Sequence, residues 1–256
     1  MAQRLLALIP HPDDESYAMA DLLARSAERG VEVHVVTATR GEGGRDYTHP
    51  DEVSGKSAVA AIRSAELDAS CALLGLPPAA HFDWPDGGLR EMPSALAIAD
   101  LVDLFRDIDP DLIVSLDQDG VYGHADHVAL WEYTRLALAS ILTNAPDRDR
   151  RWLAAVFPRG LFLPQWRLMT AGPDAASVGD DAPDLGAEAA AVDLRRDVAD
   201  PRRKRESIGA HRSQLADGTP QSLFPPGVVD TVLREECYRL VFGPALVDAD
   251  PFAGLV

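Results

Sequence analysis

Along the first half of the chain, short unbroken apolar runs alternate with longer stretches in which apolar residues recur every three or four positions. Leu5 to Ile9 reads as a buried strand, Val31 to Ala38 as a second one rich in β-branched residues, His81 to Trp84 as a short third and Leu112 to Leu116 as a fourth. Between them, Ser16 to Arg29 and Ser54 to Leu74 read as helices, stopped by Gly30 and Gly75. Ile98, Leu101, Val102 and Phe105 share one face of a further helix, as do Leu130, Tyr133, Ala137 and Ile141. Such alternation predicts right-handed βαβ units and a mostly parallel sheet with helices on both faces.

The pattern loosens in the second half. Leu153 to Phe157 and Leu161 to Leu163 read as strands, Pro201 to Gln214 as a helix with proline near its first turn, and Tyr238 to Phe242 as a late strand. Ala171 to Ala191, rich in Ala, Asp, Gly and Pro, reads as a mobile surface loop. With no repeat and no dividing linker, residues 1–256 are expected to form a single domain. Its less regular part, about 150–256, is expected to shape the pocket.

Composition narrows the class. A chain of 256 residues, 46% of them hydrophobic, is long enough to bury one sizeable core. Its apolar runs fall far short of the roughly 20 residues of a membrane helix, so no membrane insertion is expected. Leu5 to Ile9 is followed by a charged segment rather than a small-residue cleavage site, so a soluble, cytoplasmic protein is expected. A net charge of −17 repels polyanions and argues against nucleic acid as a partner. Acidic Asp197, Asp200 and Glu206 surround Arg202-Arg203-Lys204-Arg205, which reads as a solvated helix face. Two cysteines without CxxC spacing argue against a disulfide framework or a Cys-rich metal site. Cys71, in line with Leu67 and Leu74, reads as a small buried hydrophobe. A homo-oligomer is compatible with all of this.

In an open parallel sheet, ligands bind beyond the carboxyl ends of the strands. Two polar clusters fall there: His11-Pro12-Asp13-Asp14-Glu15 after the first strand, and Asp117 to His127 after the fourth. The loop Arg40-Gly41-Glu42-Gly43-Gly44 follows the second strand and can approach the same edge. Catalytic zinc sites take three ligands from His, Asp and Glu and leave one position open. The first cluster offers a histidine and an aspartate and the second a histidine. Asp13 adds a carboxylate free to act as a base, and Pro10 and Pro12 restrict the backbone around His11.

Six segments carry a wider resemblance: Pro10 to Glu15 (PHPDDE), Thr39 to Gly43 (TRGEG), Arg63 to Leu67 (RSAEL), Asp86 to Leu89 (DGGL), Tyr122 to His127 (YGHADH) and Ala210 to Gln214 (AHRSQ). In this order they resemble the LmbE/PIG-L family of zinc-dependent N-deacetylases. Members of that family act on N-acetylglucosamine conjugates, including mycothiol and bacillithiol precursors and glycosylphosphatidylinositol intermediates. The resemblance implies an α/β, Rossmann-like fold with its active site at the carboxyl ends of the strands. It implies one zinc ion per chain, held by His11, Asp14 and His127; the ligand set does not exclude ferrous iron. Asp13 would be the general base. His124, oriented by Asp126, would stabilise the tetrahedral intermediate and assist the leaving amine, and Tyr122 would polarise the amide carbonyl. Arg63 would contact the sugar, with Glu15, Arg40 and Gln214 also on the substrate side. His211 is left between binding and helix packing. One departure stands out: Tyr17-Ala18-Met19-Ala20-Asp21 replaces the Gly-Gly-Thr/Leu stretch usual after HPDDE.

The expected activity is removal of an acyl group, the acetyl group above all, from the amide nitrogen of an amino-sugar conjugate. An amidase of larger thiol conjugates or natural products fits the same zinc site. A Rossmann-like nucleotide-binding oxidoreductase fits the βαβ pattern but not its first turn, which reads HPDDES where GxGxxG belongs.

Overall fold

The computed structural model of the chain describes residues 3–49, 55–144, 149–171 and 183–255. Strand β1 (Arg4–Ile9) is buried from Leu5 onward. Successive strand side chains point to opposite faces, so Leu5, Ala7 and Ile9 enter one core while Leu6 and Leu8 enter another. The sheet therefore has a hydrophobic layer on each face.

The other strands are β2 (Glu32–Thr37), β3 (Ala80–His81), β4 (Leu112–Leu116), β5 (Arg151–Val156), β6 (Leu194–Asp197) and β7 (Glu235–Phe242), in the order β3-β2-β1-β4-β5-β7-β6. Pairings from β3 through β5 are parallel, and β7 runs antiparallel to both β5 and β6. On one face lie α1 (Asp14–Ala18), α2 (Ala20–Glu28), α3 (Lys56–Leu73), α8 (Pro201–Ala210) and α9 (Val228–Val232), contributing Tyr17, Leu22, Leu67, Ile208 and Val229. On the other lie α4 (Ser94–Ile108) and α6 (Ala125–Asn144), contributing Leu101, Phe105, Leu130 and Tyr133. The short α5 (Gly120–Gly123) and α7 (Leu163–Ala171) complete the set used below. Cys71 is buried between Leu67 and Leu74, as its spacing indicates. No described helix is long and apolar enough to cross a membrane.

Several elements differ from the expectation. The helix over Ser16 to Arg29 is broken at Met19, whose φ of −148° is not helical. The break is stabilised from afar: Glu236 on β7 accepts hydrogen bonds from the Asp21 and Leu22 amides at 2.8 and 3.0 Å, satisfying the start of α2. The same Glu236 pairs with Lys204 at 2.6 Å, so Lys204 is fully buried and the basic cluster is not wholly solvated. Leu161 to Leu163 is a turn leading into α7, because the amides of Leu161 and Leu163 bond locally to Pro158 and Gly160. The helix after Pro201 stops at Ala210 and gives way to a tight turn over Arg212–Gln214. Strand β6 and helix α9 carried no clear signal in the sequence. Of the loop expected over Ala171 to Ala191, residues 172–182 lie outside the described residues. Its described end is tied down, with the Gly186 amide donating to Asp119 at 2.7 Å and the Ala187 amide to Phe157.

Candidate metal centre

The two polar clusters meet. His11 lies two residues beyond β1, and Asp14 opens α1. After β4 the chain turns through α5, passes His124 and enters α6, whose first turn carries Asp126 and His127. His11 Nδ1 lies 3.2 Å from His127 Nε2, and Asp14 oxygens lie 3.6 Å from each of these nitrogens. Ligands about 2.1 Å from a tetrahedral zinc ion stand roughly 3.4 Å apart. The two ring nitrogens meet that spacing, and Asp14 approaches it with a different oxygen at each ring, Oδ2 toward His11 and Oδ1 toward His127. His11, His124 and His127 can each offer one atom to a single ion.

The protonation states of His127 and Asp14 agree with binding an ion, whereas His11 must give up a ring proton to do so. Burial pulls the His127 ring down to about 3, and the nearby His11 adds to this, so His127 presents a lone pair. Burial alone would raise Asp14; the His127 and His11 rings and a 2.6 Å hydrogen bond from the Tyr17 hydroxyl outweigh it and hold the carboxyl below its usual range. Burial opposes charge on His11, but Asp126, Asp14 and Asp86 together push its pKa up. His11 Nε2 lies 3.2 Å from Asp126 and 3.1 Å from Asp86, which orients Nδ1 toward His127 and Asp14.

Two expected roles change here. The Asp126 carboxylate does not orient His124. It accepts from the Gly87 and Leu89 amides at 2.7 and 3.1 Å and faces His11. His124 instead accepts at Nδ1, 3.2 Å from the Asp126 backbone amide, which places the proton of a neutral ring on Nε2. Burial and the charge at His11 lower its pKa, so the protonated imidazole expected from Asp126 is not favoured. His124 also comes within reach of His11 and His127 as a fellow donor, and the three ring centroids lie 4.8 to 5.2 Å apart.

A polar cavity of about 310 Å³ opens on this cluster, with His11, Asp13, Arg63, Asp86, Tyr122 and His124 among its walls. It adjoins a larger one of about 550 Å³, and the two share Asp13, Tyr122 and Gln214. Burial pushes Asp13 up to about 6 against the opposing charge of Arg63, which donates to its carboxylate at 3.0 Å. Arg63 reaches it by lying against the TRGEG loop, where Gly41 has no Cβ to block the guanidinium and accepts from it at 2.9 Å. Burial and the charges of Asp14 and Asp13 keep the Tyr122 hydroxyl well above its ordinary value, so it stays protonated.

Of the residues expected at the site, buried Asp14, Asp126 and His127 do not line these cavities, and neither do Glu15 and Arg40, expected on the substrate side. Arg40 pairs with Asp83 and donates to Ser64. Glu15 is fully buried beneath the site, bonded to Ser70 and His211. Asp86 and Tyr17 stand at the centre as well, beyond the residues expected there. Asp86 had a signal, since it heads the DGGL segment just beyond β3; Tyr17 had one too, three residues beyond Asp14 on the same helix face.

The chain is similar to known proteins in sequence and in fold. Residues 6–138 match the PIG-L family, described as GlcNAc-PI de-N-acetylase. The chain is 32% identical to the 1D-myo-inositol 2-acetamido-2-deoxy-alpha-D-glucopyranoside deacetylase of Tsukamurella paurometabola, with 100% of each chain covered. Its fold is similar to that of the N,N'-diacetylchitobiose deacetylase of Pyrococcus horikoshii, with a TM-score of 0.59 and 22% identity over 93% of this chain and 84% of that one. It is similar as well to the 4-carboxy-2-hydroxymuconate hydratase GalB of Pseudomonas putida, with a TM-score of 0.66 and 17% identity over 96% and 99%. The last is an enzyme of another reaction class, so the fold alone does not settle the chemistry. The family match and the full-length relative do settle the lineage: the chain belongs to the PIG-L (LmbE-like) family of de-N-acetylases.

Proposed function

We propose that the chain is a zinc-dependent deacetylase that hydrolyses the acetamido group of an N-acetylglucosamine conjugate. The observation that carries this reading is the meeting of His11 and His127 at 3.2 Å with Asp14 against both rings, and the Asp13 carboxylate beside them on the cavity wall. The name of the Tsukamurella relative supports the amino-sugar conjugate as substrate. On this reading residues 1–256 act as one Rossmann-like domain, with the active site at the carboxyl ends of β1 and β4.

When bound by His11, His127 and Asp14, zinc supplies Lewis acidity toward a water molecule and the amide carbonyl. The protein's own groups do the rest. Asp13, with a pKa near 6, takes the proton of the attacking water at neutral pH and returns it to the leaving nitrogen. Tyr122 keeps its proton and donates to the oxyanion as it develops. His124, neutral with its proton on Nε2, offers a second donor from the cavity wall. Arg63 holds the Asp13 carboxylate, and Gln214 reaches the sugar from the rim shared by both cavities.

The test is acetate release by zinc-loaded protein from N-acetylglucosamine linked to inositol, from the malate conjugate and from N,N'-diacetylchitobiose. No release from any of the three sinks the proposal. The larger outer cavity favours a second reading of the same site, an amidase of bulkier thiol conjugates or natural products. Turnover confined to such bulky amides would select it.

A further inference from the structure

Asp13 is held in an unusual backbone conformation. Its φ of 121° lies in the region that side-chain-bearing residues avoid, so neighbouring groups must impose it. Three groups grip this residue. Arg63 donates to its carboxylate, the Ser16 amide and hydroxyl donate to its carbonyl at 3.0 and 2.7 Å, and its own amide donates to Glu15 Oε2 at 3.1 Å.

Glu15 is itself the centre of a buried network joining three helices. Its Oε1 accepts from Ser70 Oγ on α3 at 2.6 Å and bonds His211 Nε2, at the end of α8, at 2.7 Å. Ser207 on α8 backs Ser70 at 2.7 Å. All four side chains are fully buried, so solvent does not compete for these bonds. A buried carboxylate persists only when its oxygens are satisfied. Here one oxygen is anchored to the scaffold and the other meets the backbone of the residue whose carboxylate lines the cavity. His211 belongs to the AHRSQ segment, so this network also ties the second half of the chain to the HPDDE turn.

We propose that Glu15, anchored by Ser70 and His211, is a positioning residue that fixes the backbone of Asp13 and so aims the Asp13 carboxylate into the inner cavity. The proposal rests on the reading of Asp13 as the base. It replaces the substrate contact first expected of Glu15.

The experiment measures kcat, KM and zinc content for Glu15→Ala and Glu15→Gln, each made in the wild-type and Asp13→Ala backgrounds, with the inositol conjugate of N-acetylglucosamine as probe. Glu15→Ala is expected to keep one zinc per chain and a KM within about twofold while kcat falls about 10- to 100-fold. Glu15→Gln retains an oxygen for the Asp13 amide and is expected to recover most of kcat. In the Asp13→Ala background, Glu15→Ala is expected to change kcat by less than about twofold, because the group it positions is already gone. Equal losses in both backgrounds, or zinc lost in parallel with kcat, overturn the proposal and leave the base assignment standing. Full activity of Asp13→Ala alone overturns both. Should Glu15→Ala fail to fold, Ser70→Ala replaces it. A severalfold loss of kcat confined to the Asp13 background supports the proposal, and no loss in either overturns it.

Discussion

At the residue scale, the centre depends on which nitrogen of each ring is free. His124 spends Nδ1 on the Asp126 amide, whereas His11 and His127 turn ring nitrogens toward Asp14. His124→Ala is therefore expected to keep its zinc and to lose about 10²- to 10⁴-fold in turnover. Metal analysis of the purified variant checks this; an empty centre would place His124 in the ligand set beside His11 and His127. Asp126→Asn is expected to weaken zinc binding by about 10- to 100-fold, since its carboxylate orients His11. Chelator competition measures this, and unchanged affinity with lost turnover would return Asp126 to the service of His124. The proposed ligands stand in polar segments that follow predicted strands, His11 and Asp14 just after the first and His127 further on after the fourth. The partner of Asp126 was not legible, because residues two apart at a helix start do not face each other. Only the fold brings His11, 115 positions away, against it.

At the element scale, the sequence periodicity finds the helix around Leu22 but not its break. The break is favoured by Glu236, which caps α2 and at the same time pairs with Lys204 and accepts from the Tyr238 hydroxyl at 2.8 Å. Glu236→Ala uncaps α2 and leaves a buried ammonium alone, so urea denaturation is expected to show a loss of about 3–5 kcal/mol. A loss under 1 kcal/mol, the size of an exposed pair, would mean that the pair is not essential. Asp21 adds a pH dependence. Burial and the neighbouring Glu236 hold its carboxyl above the ordinary value of 3.8. The unfolded chain thus loses this proton first, and the contribution of Asp21 to stability falls as pH rises from about 3.8 through the raised value. Asp21→Asn still has an oxygen for the Ala199 amide. Its melting temperature relative to wild type is expected to improve from pH 3.5 to pH 7; a difference that is flat or falls with pH would contradict the assigned shift.

At the scale of the whole molecule, the proposed metal would join two chain segments that no strand pairing connects directly, the turn after β1 and the start of α6. Zinc binding only the native state at a hundred times its dissociation constant adds about 2.7 kcal/mol of stability. Removal of zinc by chelation is expected to lower the melting temperature of wild type and to leave that of His11→Ala unchanged; equal shifts in both would assign the metal elsewhere. The second half of the chain is less legible in one dimension. Strand β6, at the edge of the sheet, is only four residues long and presents no apolar run, and of β7, which runs antiparallel between β5 and β6, only the stretch from Tyr238 to Phe242 carries a strand signal. By itself the sequence determined the alternation of strands and helices up to α6, because burial on both sheet faces demands runs and periods that survive in one dimension. It also offered the proposed ligands as candidates, because zinc sites draw on a few side-chain types and these stand in the polar segments beyond strand ends. The tertiary structure alone decided which carboxylate serves which histidine, that Glu15 lies under the site rather than in it, and where α2 begins. Each of these rests on a contact between residues distant in the chain or on a side-chain direction set by packing, and a linear pattern carries neither.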